Sequence, residues 1–90
     1  MGDNRIATVV ALIKRTVCFR ECAKIIKIAN ENDCKITIYK GSKSGDSDSL
    51  LSIAKLELNS GQTAIIRAEG KNPEAACGQC MKFFGHDDEK

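Results

Sequence analysis

The chain has 90 residues, 42% of them apolar and 29% charged, with a formal net charge of +2. That is the size of one small domain, and it excludes a large enzyme built from a nucleotide fold and a substrate domain. The ordinary apolar fraction excludes disorder.

In chain order, Arg5 to Leu12 reads as a strand, with β-branched Val9 and Val10 inside it. The apolar run around it, Ile6 to Ile13, is too short for a membrane helix, which needs roughly 20 residues. Asp3 before it, Lys14 and Arg15 after it, and the lack of a small-residue cleavage site argue against a signal peptide. Ile6 stands where N-myristoylation at Gly2 expects Ser or Thr. A cytoplasmic location is expected, with the five cysteines as reduced thiols.

After a turn at Arg15 and Thr16, the period changes. Cys18, Cys22, Ile25, Ile26 and Ala29 share one helical face, and Arg20, Lys24, Lys27 and Glu31 lie off it, so a helix is predicted to begin at Cys18 and end by Asn30 to Asp33. Cys34, Ile36 and Ile38 then alternate with Lys35, Thr37 and Tyr39 as a half-buried strand. Lys40 to Ser49 is a turn region holding a short strand near Lys43 to Asp46. Ser49 caps a short helix over Leu50 to Lys55. A strand from Gln62 to Ala68 follows Gly61. Pro73 opens a last helix, where its missing N–H costs nothing, with Ala76 or Cys77, Cys80, Met81 and Phe84 at helical spacing. Gly85 to Lys90 reads as a frayed tail. The order β-α-β-β-α-β-α, with no linker or repeat across residues 1–90, implies one α+β domain: helices covering one face of an antiparallel sheet.

Charge is uneven. Residues 1–43 carry nine Lys or Arg against four acids, and the remainder is net acidic. A basic half suits an acidic protein surface or a phosphate, or is simply solvated charge. With 4% aromatics and no helix-turn-helix or zinc-finger spacing, no nucleic-acid partner is expected, and no membrane partner either.

Cys77-x-x-Cys80 matches a redox or zinc half-motif, with Cys18, Cys22 and His86 as further donors. The competing reading is stronger: Cys77, Cys80, Cys22 and Cys34 fall on the apolar faces of their own elements, and free Cys is a small buried hydrophobe. No metal and no cofactor are expected. Cys18 differs. At a helix start, dipole and unpaired N–H groups favour a thiolate and bind anions, with Arg20 in the first turn. Cys18 is therefore either an activated nucleophile or the buried start of the apolar stripe. Ser49 is usually just a cap, but a phosphate added there would meet helix N–H groups, with Leu50 and Leu51 as an apolar shoulder.

These residues resemble the histidine-containing phosphocarrier (HPr) family of the bacterial sugar phosphotransferase system. The likeness runs from about Arg5 to Phe84. Thr16-Val17-Cys18-Phe19-Arg20-Glu21-Cys22 is similar to the family's Gly-Leu-His-x-Arg-Pro-Ala, Cys34-Lys35-Ile36-Thr37-Ile38 to its second strand, Asp48-Ser49-Leu50-Leu51 to its regulatory serine motif, and Ala68-Glu69-Gly70 to the turn before its last helix. The resemblance implies an open-faced β-sandwich of sheet order 1-4-2-3 with three helices on one face. It also implies a non-enzymatic carrier or regulator without a cofactor. Partners by resemblance are enzyme I, enzyme IIA, and HPr kinase or a transcription regulator of the CcpA type.

The same resemblance places Cys18 at the phosphorylated histidine and Arg20 at the phosphate-holding arginine. Ser49 falls at the regulatory phosphorylation site, where a paralogue lacking the histidine keeps its serine. Thr16 replaces a glycine, Glu21 a proline, Asp48 a lysine and Glu57 a glycine. Glu21 places a negative charge in the first turn, where it can close a capping-box contact to the Cys18 N–H and would repel a phosphoryl group. The expected role is regulatory, and the alternatives are a Cys18-phosphorylated carrier or a thiol redox or metal-binding protein. The expected docking face is Lys14, Arg15, Arg20, Lys24 and Lys27 with Leu50 and Leu51.

Overall fold

A computed structural model describes residues 4–85. Seven elements follow in order: β1 (Arg5–Leu12), α1 (Cys22–Glu31), β2 (Cys34–Lys40), β3 (Lys43–Asp46), α2 (Leu50–Ala54), β4 (Thr63–Gly70) and α3 (Pro73–Phe83). The four strands form one antiparallel sheet of order β1-β4-β2-β3.

Alternation decides which face each residue takes. Ala11 of β1, Ile36 and Ile38 of β2, and Ala64, Ile66 and Ala68 of β4 point inward and are buried. Their neighbours Val10, Tyr39 and Ile65 meet across the opposite, open face, where Val10 pairs with Ile65 and Ile65 with Tyr39. The inner face is covered by α3 on β1 and β4, α1 on β2, and α2 on β3. Ile25 and Ala29 of α1, Ile53 of α2, and Ala76, Cys77 and Cys80 of α3 complete the core, closed at one end by Phe84. Each fully buried Ile or Phe contributes roughly 1.5–3 kcal/mol. Small residues on the inner sheet face let α3 approach closely: the Cys77 thiol lies 3.6 Å from the Ala7 carbonyl oxygen.

The predicted start of the first helix fails. The first helix begins at Cys22, not Cys18. The Cys18 carbonyl accepts from the Glu21 N–H at 3.0 Å and the Cys22 N–H at 3.3 Å, a tight turn that leads into the helix. Cys18 is exposed and so is not part of the buried stripe. Cys34 is half-buried rather than a full core residue. The fourth strand runs to Gly70, two residues beyond the expected end, because Gly70 pairs with both Arg5 and Cys34. Pro73 does open α3, and Ser49 does cap α2. The proposed tail, His86 included, lies outside the described residues apart from Gly85. No helix among the described residues is long and apolar enough to cross a membrane.

Candidate functional site

Two loops carry the chemistry-bearing residues. The first joins β1 to α1. Ile13 is buried and anchors it: its N–H donates to the Gln62 carbonyl at 2.8 Å, and its carbonyl accepts from the Gly61 N–H at 2.8 Å. Further on, the Val17 N–H donates to the Leu58 carbonyl at 2.9 Å. Both anchors precede Cys18, so its turn is held between Val17 and the start of α1.

Glu21 closes this turn. One carboxylate oxygen accepts from the Cys18 N–H at 3.2 Å, the capping contact that the spacing allows. The other oxygen is ion-paired with Arg15. Arg15 also donates to the Phe83 carbonyl at 3.1 Å and stands over the Phe83 ring, 5.1 Å from its centroid. A chain of contacts therefore runs from the Cys18 backbone through Glu21 and Arg15 to the end of α3. The Cys18 N–H holds the Glu21 carboxyl below its ordinary range; partial burial opposes this, and the Arg15 charge reinforces it. Glu21 is accordingly an anion at neutral pH, seated at the backbone of Cys18.

Arg20 and Phe19 are exposed, and the Arg20 side chain makes no hydrogen bond or ion pair among the described residues. Lys14 and Lys24 are exposed, and Lys27 pairs loosely with Glu31 at 3.9 Å. Arg15, expected on a docking face, is bound to Glu21 and Phe83 while its side chain stays partly exposed. Nothing local in the sequence signals that bond, because Phe83 is 68 residues away.

The cysteines separate by position. Cys18 is exposed, while Cys22, Cys77 and Cys80 are buried. Burial pushes the Cys22 and Cys77 thiols up, and pushes Cys80 up to about 12, with a smaller contribution from Cys77. Among the described residues, no three His, Cys, Asp or Glu side chains group so as to hold a metal ion.

The second loop joins β3 to α2. The Ser49 hydroxyl accepts from the Ser52 N–H at 3.2 Å, and the Ser52 hydroxyl donates back to the Ser49 carbonyl at 2.7 Å. Asp48 turns away to Lys35, 3.4 Å distant. Leu50 packs on the core, and Leu51 is exposed. Beside them is a cavity of about 580 Å³ lined by Lys43, Ser44, Ser49, Leu51, Ser52, Lys55 and Leu56. Glu57, just past α2, has φ +53°, the left-handed conformation that favours glycine.

The family model for the phosphotransferase-system HPr component phosphorylation site matches residues 7–85. The chain belongs to the PTS-HPr family. It is similar to the phosphocarrier protein HPr of Borreliella burgdorferi, with 37% identity over 65 residues, covering 72% of this chain and 76% of that protein. Its fold matches HPr-C-His from Thermoanaerobacter tengcongensis, with a TM-score of 0.70 at 24% identity, over 90% of this chain and 98% of that one. The HPr fold fits the observed sheet order and the three helices on one face.

Proposed function

We propose that this HPr-family protein is a cytoplasmic regulatory member of the sugar phosphotransferase system rather than a standard phosphoryl carrier. By resemblance, Cys18 takes the place of the phosphorylated histidine, and Arg20 that of the phosphate-holding arginine. The observation that carries the reading is the Glu21 carboxylate bonded to the Cys18 N–H. A phosphoryl group on Cys18 would bring about two further negative charges beside that anion. It would also compete for a backbone donor already in use. Like charges at such distances disfavour the phosphorylated state.

Ser49 is the proposed switch. Its hydroxyl caps α2, Leu51 is exposed beside it, and the cations Lys43 and Lys55 line the same cavity. A phosphoserine there is recognised as new charge beside an apolar shoulder. The matching partners are HPr kinase as the modifying enzyme and a transcription regulator of the CcpA type as the reader, with enzyme I and enzyme IIA as the partners of a carrier role. Lys24 and Lys27, with Lys14 and Arg20, form the basic surface that steers an acidic partner.

The test is phosphorylation by purified partners. Incubation with HPr kinase and ATP is expected to label Ser49, and Ser49→Ala abolishes the label. Incubation with enzyme I and phosphoenolpyruvate is expected to leave the chain unlabelled. Cys18→His alone stays poor, and Cys18→His with Glu21→Gln accepts phosphate. An acid-resistant label from enzyme I that disappears in Cys18→Ser would overturn the regulatory reading in favour of a cysteine-phosphate carrier.

A further inference from the structure

The cavity between β3 and α2 has a chemistry of its own. Its lining holds two cations, Lys43 and Lys55, and no acid. Neither lysine has an ion-pair partner among the described residues. Lys43 also lies directly across the β2–β3 ladder from Lys40. Like charges directly opposite one another on a sheet are destabilising. The Lys40 ammonium finds only uncharged acceptors, the Glu57 carbonyl at 3.0 Å and the Gln62 side-chain oxygen at 3.4 Å. Three ammonium groups therefore sit at this end of the sheet without a carboxylate to balance them.

Three acids flank this end of the sheet, and none is ion-paired with Lys40, Lys43 or Lys55; the Glu57 carboxylate makes no ion pair among the described residues. Asp48 is bound to Lys35, and an Asp46 carboxylate oxygen accepts from the Asp48 N–H at 2.9 Å. Leu51 and Leu56 supply an apolar wall, and Ser44 a hydroxyl that makes no hydrogen bond to another described residue. About 580 Å³ lies within the range of small-ligand sites, roughly 300–1,000 Å³.

We propose that this cleft binds a small phosphate monoester, its phosphoryl group between Lys43 and Lys55 and its carbon portion against Leu51 and Leu56. A phosphate monoester carries close to two negative charges at neutral pH, which matches the two unpaired lysines, whereas a simple carboxylate supplies one. An anion there also relieves the Lys40–Lys43 repulsion. The proposal does not rest on phosphorylation of the chain, and holds for the unmodified protein. Bound ligand would cover Ser49.

The test is a titration of the isotope-labelled, unphosphorylated protein, its state checked by intact mass. The probes are glycerol 3-phosphate, inorganic phosphate and glycerol, each followed by amide chemical shifts. Glycerol 3-phosphate is expected to give saturable shifts at Lys43, Ser44, Ser49, Ser52 and Lys55. Lys43→Gln and Lys55→Gln each weaken binding about tenfold, and Lys43→Arg with Lys55→Arg retains it. Inorganic phosphate binds more weakly and glycerol not at all. Shifts centred on Lys24 and Lys27, saturation that survives Lys43→Gln with Lys55→Gln, or no saturation would overturn the site. Equal binding of inorganic phosphate would overturn the monoester assignment.

Discussion

Gly45 is the point at which the β3–α2 loop depends on a missing side chain. A Cβ added there would lie 2.4 Å from the Ser52 carbonyl oxygen, 2.6 Å from its carbon and 2.9 Å from the Ile53 nitrogen. All three are backbone atoms, so no side chain can swing aside. Moving the first contact from 2.4 Å to the 3.4 Å at which ordinary contact begins requires α2 to recede by about 1 Å. The displaced segment carries Ile53, which is fully buried, and Leu56 just beyond it. Gly45→Ala is therefore expected to cost about 1–3 kcal/mol, the usual range for overpacking. For a domain of this size that lowers the melting temperature by about 4–8 °C per kcal/mol. Gly78 provides the opposite sign: it lies within α3, is exposed, and nothing stands within 4 Å of an added Cβ. Gly78→Ala is expected to stabilise by about 0.5–1 kcal/mol, through helix propensity alone. Urea unfolding of both variants, with amide shifts of α2, tests the pair. Gly45→Ala matching the parent in stability, with α2 shifts unchanged, would refute the close approach of α2 to β3.

A thiol-specific reagent should modify Cys18 first and Cys22, Cys77 and Cys80 only at the rate of opening of the fold, because the first is exposed and the others are buried; equal rates for all would contradict that placement. Alkaline pH should destabilise the fold through Cys80, whose thiol rises from 9.0 to about 12 on burial. The raised value means that this contribution is intact below pH 9 and is lost as pH climbs towards 12, at about 1.4 kcal/mol per pH unit; Cys80→Ala should flatten the alkaline limb of a urea-midpoint profile, and an unchanged limb would count against it. Glu57→Gly should raise stability by about 1 kcal/mol, since Glu57 sits in left-handed backbone; a lower urea midpoint would show that the Glu57 side chain contributes more than the strain costs.

Strands and caps were legible where one residue type decides the local geometry. Arg5 to Leu12 forms the strand that β-branched Val9 and Val10 favour, Pro73 opens its helix, and Ser49 caps α2. The start of α1 was not legible, because Cys18 stands four residues before Cys22 and falls on the helical face by spacing alone. A single turn closed by backward hydrogen bonds has nearly the same period as a helix. What distinguishes it is the Glu21 carboxylate folded back on the Cys18 N–H. The contact itself followed from the three-residue spacing. The Arg15 contact did not, because it depends on α3 delivering Phe83 to the same place.

That contact chain also bears on how far the fold depends on the chemistry of the β1–α1 loop. The core is an Ile, Leu and Ala interior with Cys22, Cys77 and Cys80 serving as small hydrophobes, and none of it requires Cys18. The β1–α1 loop is held independently, by Ile13 against Gln62 and Gly61, by Val17 against Leu58, and by Glu21 and Arg15 against the end of α3. On the proposed reading, in which Cys18 takes the place of a phosphorylated histidine, a carrier would hold a phosphoryl anion at this turn only part of the time. Here a carboxylate supplies an anion permanently, and Arg15 fixes that carboxylate in place. On the proposed reading, the turn gains an internal anion and gives up a transferable one. The remaining exchangeable chemistry then shifts to the β3–α2 loop, where Lys43 and Lys55 line a cavity with no acid of their own.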